Sequence, residues 1–139
     1  MKISVMGTGY VGLVSGTCLA ERGHQVTCID IRSEVVQEIN AGRPPIHEIG
    51  LDNLLRSARD KGMLSATTDA KTAILDSDVT LICVGTPTVD GRMDMSQIVA
   101  AAKEIGSALA SKRGYHVVAV KSTVLPGTTE GPVKAAIES

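Results

Sequence analysis

The sequence predicts an α/β fold built on a doubly wound parallel sheet, and three observations predict it. Short apolar, β-branched runs alternate along the chain with segments whose apolar residues recur at helical spacing. The turn Gly7-Thr8-Gly9-Tyr10-Val11-Gly12 stands between the first such run and the first helical segment. The run Val79-Thr80-Leu81-Ile82-Cys83-Val84 is apolar almost throughout, as a central strand covered on both faces must be.

Each element follows from its own residues. Lys2-Ile3-Ser4-Val5-Met6 predicts the first strand, and apolar spacing over 10–22 predicts a helix that Gly23 stops. A second strand covers 26–29 and ends at Asp30. Val35, Val36 and Ile39 predict a helix over 33–40, with Ser33 as the expected N-cap, Gly42 beyond its end and Pro44-Pro45 as its break. Gly50-Leu51 opens a further helix through Leu54, Leu55 and Ala58, which Lys61-Gly62 closes. Residues 64–68 predict a third strand, Asp69 caps a helix reaching Leu75, and 79–84 form the fourth strand. Asp90-Gly91 marks a turn. Ile98, Val99, Ala102, Ile105 and Leu109 give the apolar face of a helix over 95–109, and Val117-Val118-Ala119-Val120 is the fifth strand. After Pro126-Gly127 a helix is expected from Thr129, still running at Ser139, so that the sheet is truncated before the last strand of a six-stranded dinucleotide fold.

The glycine turn carries the chemistry. Gly7 permits the tight passage from strand to helix, Gly9 keeps a side chain away from an approaching pyrophosphate, and Gly12 lets the helix close on the sheet. Unpaired N–H groups at the helix start, with Tyr10 and Val11 the nearest, face the phosphates, and the helix dipole favours their charge. Asp30 is placed to accept hydrogen bonds from both hydroxyls of an adenosine ribose. Its charge repels a 2′-phosphate, so the expected cofactor is NAD rather than NADP, on a Rossmann dinucleotide-binding fold. Arg32 has competing readings: contact with adenine or a 2′-phosphate, or a solvated residue at the head of the next helix.

Composition excludes other classes. The chain has 139 residues, enough for one compact domain over 1–139. A net charge of −1 gives no basic footprint, and Tyr10 and Tyr115 are the only aromatic residues, so nucleic acid is not an expected partner. No apolar run is long enough for a membrane span and no leader precedes the first strand. No membrane partner is expected, and the expected location is cytoplasmic. Cys18, Cys28 and Cys83 are odd in number, sit in apolar segments and lack C-x-x-C spacing. They are expected as small buried hydrophobes, with neither a disulfide nor a metal site.

Ligands of open parallel sheets bind at the carboxyl ends of the strands. Two ends besides the glycine turn carry polar or Gly-containing sequence: Gly85-Thr86-Pro87 after the fourth strand and Lys121-Ser122-Thr123 after the fifth. The first would keep side chains off a cofactor while offering one hydroxyl, and Ser122 or Thr123 lies where a nicotinamide belongs. Ordinary turn chemistry, with Pro for rigidity and Thr for capping, is the competing reading of each alone.

With these pieces in order, the chain resembles the nucleotide-sugar dehydrogenases, the family of UDP-glucose and GDP-mannose 6-dehydrogenases. The resemblance runs from residues 2–13 through Gly23-His24-Gln25-Val26, Pro45-Ile46-His47-Glu48-Ile49-Gly50-Leu51 and Gly85-Thr86-Pro87 to Lys121-Ser122-Thr123-Val124-Leu125-Pro126-Gly127-Thr128. It implies an NAD-dependent, two-step oxidation of a sugar C6 alcohol to a carboxylate, using two NAD and a covalent thiohemiacetal and thioester on a Cys. It also implies a homodimer or larger assembly around a central helix, and a separate domain for the nucleotide sugar. By position, Tyr10, Val11 and Asp30 would hold the cofactor and Thr86 would touch its ribose region. Thr123, beside the nicotinamide and the catalytic water, would be the one catalytic residue here. UDP-glucose is the first-choice substrate and GDP-mannose the second, although Leu125-Pro126-Gly127 is slightly closer to GDP-mannose members.

Two positions depart from the family. Val35 stands where members often carry a Lys that pairs with the adenosine ribose, leaving Arg32 as a possible replacement. Ile49 stands where they carry Pro. Nothing in the chain matches the family's Gly-rich loop with its nucleophilic Cys and helper residues, and Cys18, Cys28 and Cys83 sit in other elements. The chain is therefore expected to be the cofactor-binding, N-terminal part of a longer enzyme. The competing readings are a standalone NAD-sensing module and another NAD-dependent dehydrogenase of the hydroxyacid or hydroxyacyl-CoA type.

Overall fold

A computed structural model describes all residues, 1–139. The elements run β1 Lys2–Met6, α1 Tyr10–Glu21, β2 Gln25–Ile29, α2 Ser33–Asn40, α3 Leu51–Asp60, β3 Leu64–Thr67 and α4 Ala70–Leu75. They continue as β4 Val79–Ile82, β5 Thr88–Val89, β6 Arg92–Met93, α5 Ser96–Leu109, β7 Val117–Val120, a π-helical turn Thr129–Val133 and α6 Lys134–Ile137. Five strands form one parallel sheet in the order β3-β2-β1-β4-β7, while β5 and β6 make a separate antiparallel hairpin. The order reverses between β1 and β4, the point at which an open parallel sheet binds its ligand.

Register brings the strand ends together. Met6 lies level with Ile29 on one side and Ile82 on the other, so Gly7, Asp30 and Cys83 leave the sheet side by side. Val120 is level with Ile82, which sets Lys121 and Ser122 next in the row.

Alternation along the strands divides the core into two layers. Ile3, Val5, Val26 and Cys28 face α1, α2 and α3, where Leu13, Ile39 and Leu55 are buried. Met6, Ile29 and Ile82 face α4 and α5, where Ile74, Ile98 and Ile105 are buried. Each such side chain contributes about 1.5–3 kcal/mol by leaving water, so a core without Phe or Trp is assembled from many aliphatic contacts.

A polar cluster lies at the amino ends of β4 and β7. The Ser4 hydroxyl is 2.9 Å from that of Ser77 and 2.7 Å from that of Thr80. Thr80 Oγ1 meets His116 Nε2 at 2.8 Å, and Lys112 Nζ donates to the Ile74 carbonyl at 2.9 Å as well as to the Ser77 carbonyl. At the opposite side of the sheet, the Asn40 amide donates to Ala66 O at 2.9 Å and accepts from Ala66 N at 2.8 Å, covering the outer edge of β3.

Several elements differ from what the sequence pattern predicts. Arg32, not Ser33, is the N-cap of α2, because its backbone N–H is taken by the Asp30 carboxylate at 3.0 Å and Ser33 already turns helically. β4 stops at Ile82, two residues early, where Ser122 N turns in to bond the Ile82 carbonyl at 3.1 Å. The β5–β6 hairpin forms around Asp90-Gly91, both with positive φ. The last helix begins as a π-helical turn around Pro132 and continues as α6, with Glu138 N still bonded to the Lys134 carbonyl at 3.0 Å. Cys18 is exposed rather than buried, since Gly12, Leu13, Gly16, Thr17 and Ala20 form the inward face of α1.

Candidate functional site

The cleft above the sheet is built on the glycine turn. Gly7 has φ of +96°, and a Cβ there would come within 2.8 Å of the Cys83 carbonyl oxygen, so both backbone sign and space demand glycine. A Cβ on Gly12 would lie 1.8 Å from the Gly7 carbonyl oxygen and 3.1 Å from Cys83 Cβ. Gly9 is different. Its φ of −72° and ψ of −167° suit any residue, and a Cβ there would meet nothing within 4 Å. The fold has no need of glycine at that position, which leaves open ground beside the start of α1. The first bond of α1 runs from Leu13 N to Gly9 O at 2.9 Å, so the N–H groups of Tyr10, Val11 and Gly12 precede the helical ladder.

Asp30 stands across the turn. It is 7% exposed and accepts hydrogen bonds from Thr8 N at 3.3 Å, the Thr8 hydroxyl, Arg32 N at 3.0 Å, Arg32 Nε at 3.0 Å and Arg32 Nη2 at 3.1 Å. Burial by itself would raise its pKa, but the bonds from Arg32 and Thr8 outweigh it and hold the carboxyl at about 2. The group is a carboxylate at any ordinary pH.

A cleft of about 550 Å³ joins these residues, lined by Gly7, Thr8, Gly9, Asp30, Arg32 and Gly85 together with a face of α5. That face comprises Gln97, Ala100, Ala101 and Glu104, and sequence reasoning missed it, as it missed Thr8. Their spacing of three and four residues marks one stripe of a helix, with two alanines giving a flat floor between two polar side chains. The pattern is present in the sequence; its orientation toward the cleft is set by tertiary packing.

The remaining candidates lie outside this cleft. Tyr10 and Val11 are half exposed and line a second depression of about 500 Å³ with Glu48, Ile49 and Lys121. Gly12 is buried behind the turn. Thr86 donates from Oγ1 to the Thr123 carbonyl at 2.6 Å, tying together the loops after β4 and β7, and Pro87 follows at the surface. Ser122 donates its hydroxyl to the Val84 carbonyl at 2.7 Å, so it braces the end of β4. The Thr123 side chain is exposed and makes no hydrogen bond within the chain. Burial pushes Cys28 up to about 12 and Cys83 up to about 11, which makes both poor thiolates. No three His, Cys, Asp or Glu side chains gather as metal ligands, and no helix is long and apolar enough to cross a membrane.

The glycine turn, the carboxylate across it and the strand order form a dinucleotide-binding arrangement. The sequence model of the UDP-glucose/GDP-mannose dehydrogenase family, NAD binding domain, matches residues 1–139. The chain belongs to this family. Relatives within it include the GDP-mannose 6-dehydrogenase of Pseudomonas aeruginosa, 49% identical over 139 residues that cover 99% of this chain and 32% of the relative. Another is the UDP-glucose 6-dehydrogenase of Rhizobium meliloti, 48% identical over 130 residues that cover 92% and 29%. Among solved structures, a ternary complex of GDP-mannose dehydrogenase from Pseudomonas aeruginosa aligns with a TM-score of 0.97 at 49% identity, covering 99% of this chain and 32% of that one. A UDP-glucose dehydrogenase from Pyrobaculum islandicum aligns with a TM-score of 0.93 at 43% identity, covering 97% and 32%. The chain spans about a third of the length of the relatives it matches. Within the family it corresponds to the NAD-binding domain, and its fold is that of the dehydrogenase Rossmann domains.

Proposed function

We propose that this chain is the cofactor-binding part of a nucleotide-sugar 6-dehydrogenase, holding the NAD that accepts hydride as a sugar C6 alcohol becomes a carboxylate. The observation that carries the reading is Gly9, a glycine that the fold itself does not require, set beside free helix N–H groups and opposite an ionised Asp30. In this reading the N–H groups of Tyr10 and Val11 hold the pyrophosphate, and Asp30 takes the adenosine ribose diol. Gly85, Thr86 and Pro87 border the path toward the nicotinamide. Ser122 fixes the loop from which Thr123 presents an unengaged hydroxyl to a water or substrate oxygen. Cys28 and Cys83 are buried, poor thiolates and Cys18 is exposed on α1 outside the cleft of about 550 Å³, so this reading assigns the covalent step to residues outside this chain.

The sugar is UDP-glucose or GDP-mannose. Relatives acting on each, by name, match at 48% and 49% identity. The test is NADH formation by the protein that carries this chain, offered UDP-glucose, GDP-mannose and UDP-N-acetylmannosamine in turn. Two NADH per sugar with one of them is the expected result. NAD binding with no turnover on any would replace this reading by a sensing module or by another class of NAD-dependent dehydrogenase.

A further inference from the structure

We propose that Arg32 is an internal competitor for the ribose position on Asp30, and that it thereby sets how strongly the site prefers NAD to NADP. The inference rests on the reading that Asp30 takes the adenosine ribose. A carboxylate offers about four lone-pair positions on its two oxygens. Asp30 Oδ1 accepts Arg32 N and Arg32 Nε, each at 3.0 Å. Asp30 Oδ2 accepts Arg32 Nη2 at 3.1 Å, the Thr8 hydroxyl, and Thr8 N at 3.3 Å. Every position is filled, and none remains for two ribose hydroxyls.

One of these partners must leave when the ribose arrives, and the choice is fixed by where each is held. The N–H groups of Thr8 and Arg32 are backbone, and Thr8 is 1% exposed inside the turn. The guanidinium sits on a flexible stem whose side chain is 55% exposed, against 6% for the Asp30 side chain. Water receives the guanidinium readily, whereas it cannot reach Thr8. Arg32 thus stabilises the empty site through a bidentate fork that the NAD complex does not contain, and whatever stabilises only the empty state weakens binding. Once displaced, the same cation stands beside the 2′ position. A free hydroxyl there gives it little, but a 2′-phosphate gives it a new anionic partner. Arg32 therefore opposes NAD and offsets part of the repulsion that Asp30 directs at NADP.

Calorimetric titration of the protein and its Arg32→Ala variant with NAD and with NADP tests this. NAD is expected to bind about three- to tenfold more tightly to the variant, the scale of one partly exposed charge pair released. NADP is expected to bind more weakly, widening the preference. Arg32→Lys, which keeps the charge without the fork, should retain NADP binding while relieving part of the competition. Weaker or unchanged NAD binding by Arg32→Ala overturns the proposal. Asp30→Ala run alongside separates the two levels. Unchanged NAD affinity there removes the ribose reading itself, whereas weakened affinity there with no gain in Arg32→Ala removes only the competitor.

Discussion

The two ends of the parallel sheet treat their polar groups in opposite ways. At the amino ends of β4 and β7, Ser4, Ser77, Thr80, His116 and Lys112 satisfy one another and the Ile74 and Ser77 carbonyls, with the Ser4, Ser77 and Thr80 side chains buried. At the carboxyl ends, the first N–H groups of α1 have no partner in the ladder, the Thr123 hydroxyl is unengaged, and a cleft of about 550 Å³ stands open. Buried polar groups are expensive unless paired, so a network that serves only the fold closes on itself. Donors left free beside empty space are the mark of a place meant for a ligand. The difference teaches that stability and binding are written at opposite ends of the same strands, and substitutions should sort accordingly.

The largest effect is expected from Gly9→Val. NAD affinity should fall by more than about a hundredfold as the pyrophosphate loses its approach to the helix N–H groups. Stability should change by less than about 1 kcal/mol, since no atom lies within 4 Å of the new Cβ. Chemical denaturation beside calorimetry reads both, and a variant that binds NAD normally would break the division. Asp30→Ala comes next, weakening NAD by about 1–3 kcal/mol as a charge-assisted pair of bonds is lost. Ser4→Ala should do the reverse, lowering the unfolding free energy read by urea denaturation by about 1–2 kcal/mol through lost hydroxyl bonds while leaving NAD affinity as it was.

The smallest and most discriminating effect is in pH. Burial and the Lys112 charge lower the pKa of His116 from its ordinary 6.5. The folded state thus favours the neutral ring, its contribution is complete above pH 6.5, and it erodes as pH falls below that value. Asp30, held at about 2, does not titrate in this range. Between pH 8 and pH 5.5 the denaturation midpoint should fall more for the protein than for His116→Gln, while the contribution of Asp30 to NAD affinity stays flat. A parallel loss of both in His116→Gln would show the two ends to be coupled.

The contrast also explains what was legible in the sequence. Gly7, Gly12 and the place of Asp30 could be read because what fixes them is local: a turn, a close packing, a strand end. The five strands of the parallel sheet were legible because each is a short apolar run bounded by turn residues, whereas the two-residue strands β5 and β6 carry no such run. The α5 stripe of Gln97, Ala100, Ala101 and Glu104 was not, because helical spacing defines a face without saying what it looks upon. Cys18 shows the same limit, an apolar residue in an apolar helix that the rotation of α1 turns outward. Ser33 lost its place as cap to Arg32, whose N–H the Asp30 carboxylate holds from two residues back, a local competition that propensity does not record.

The Asn40 side chain has a consequence for assembly. By supplying both a donor and an acceptor to Ala66, it imitates the next strand and seals that border of the sheet. A strand approaching along β3 would find the Ala66 donor and acceptor already taken, so a single side chain works there against edge-to-edge association.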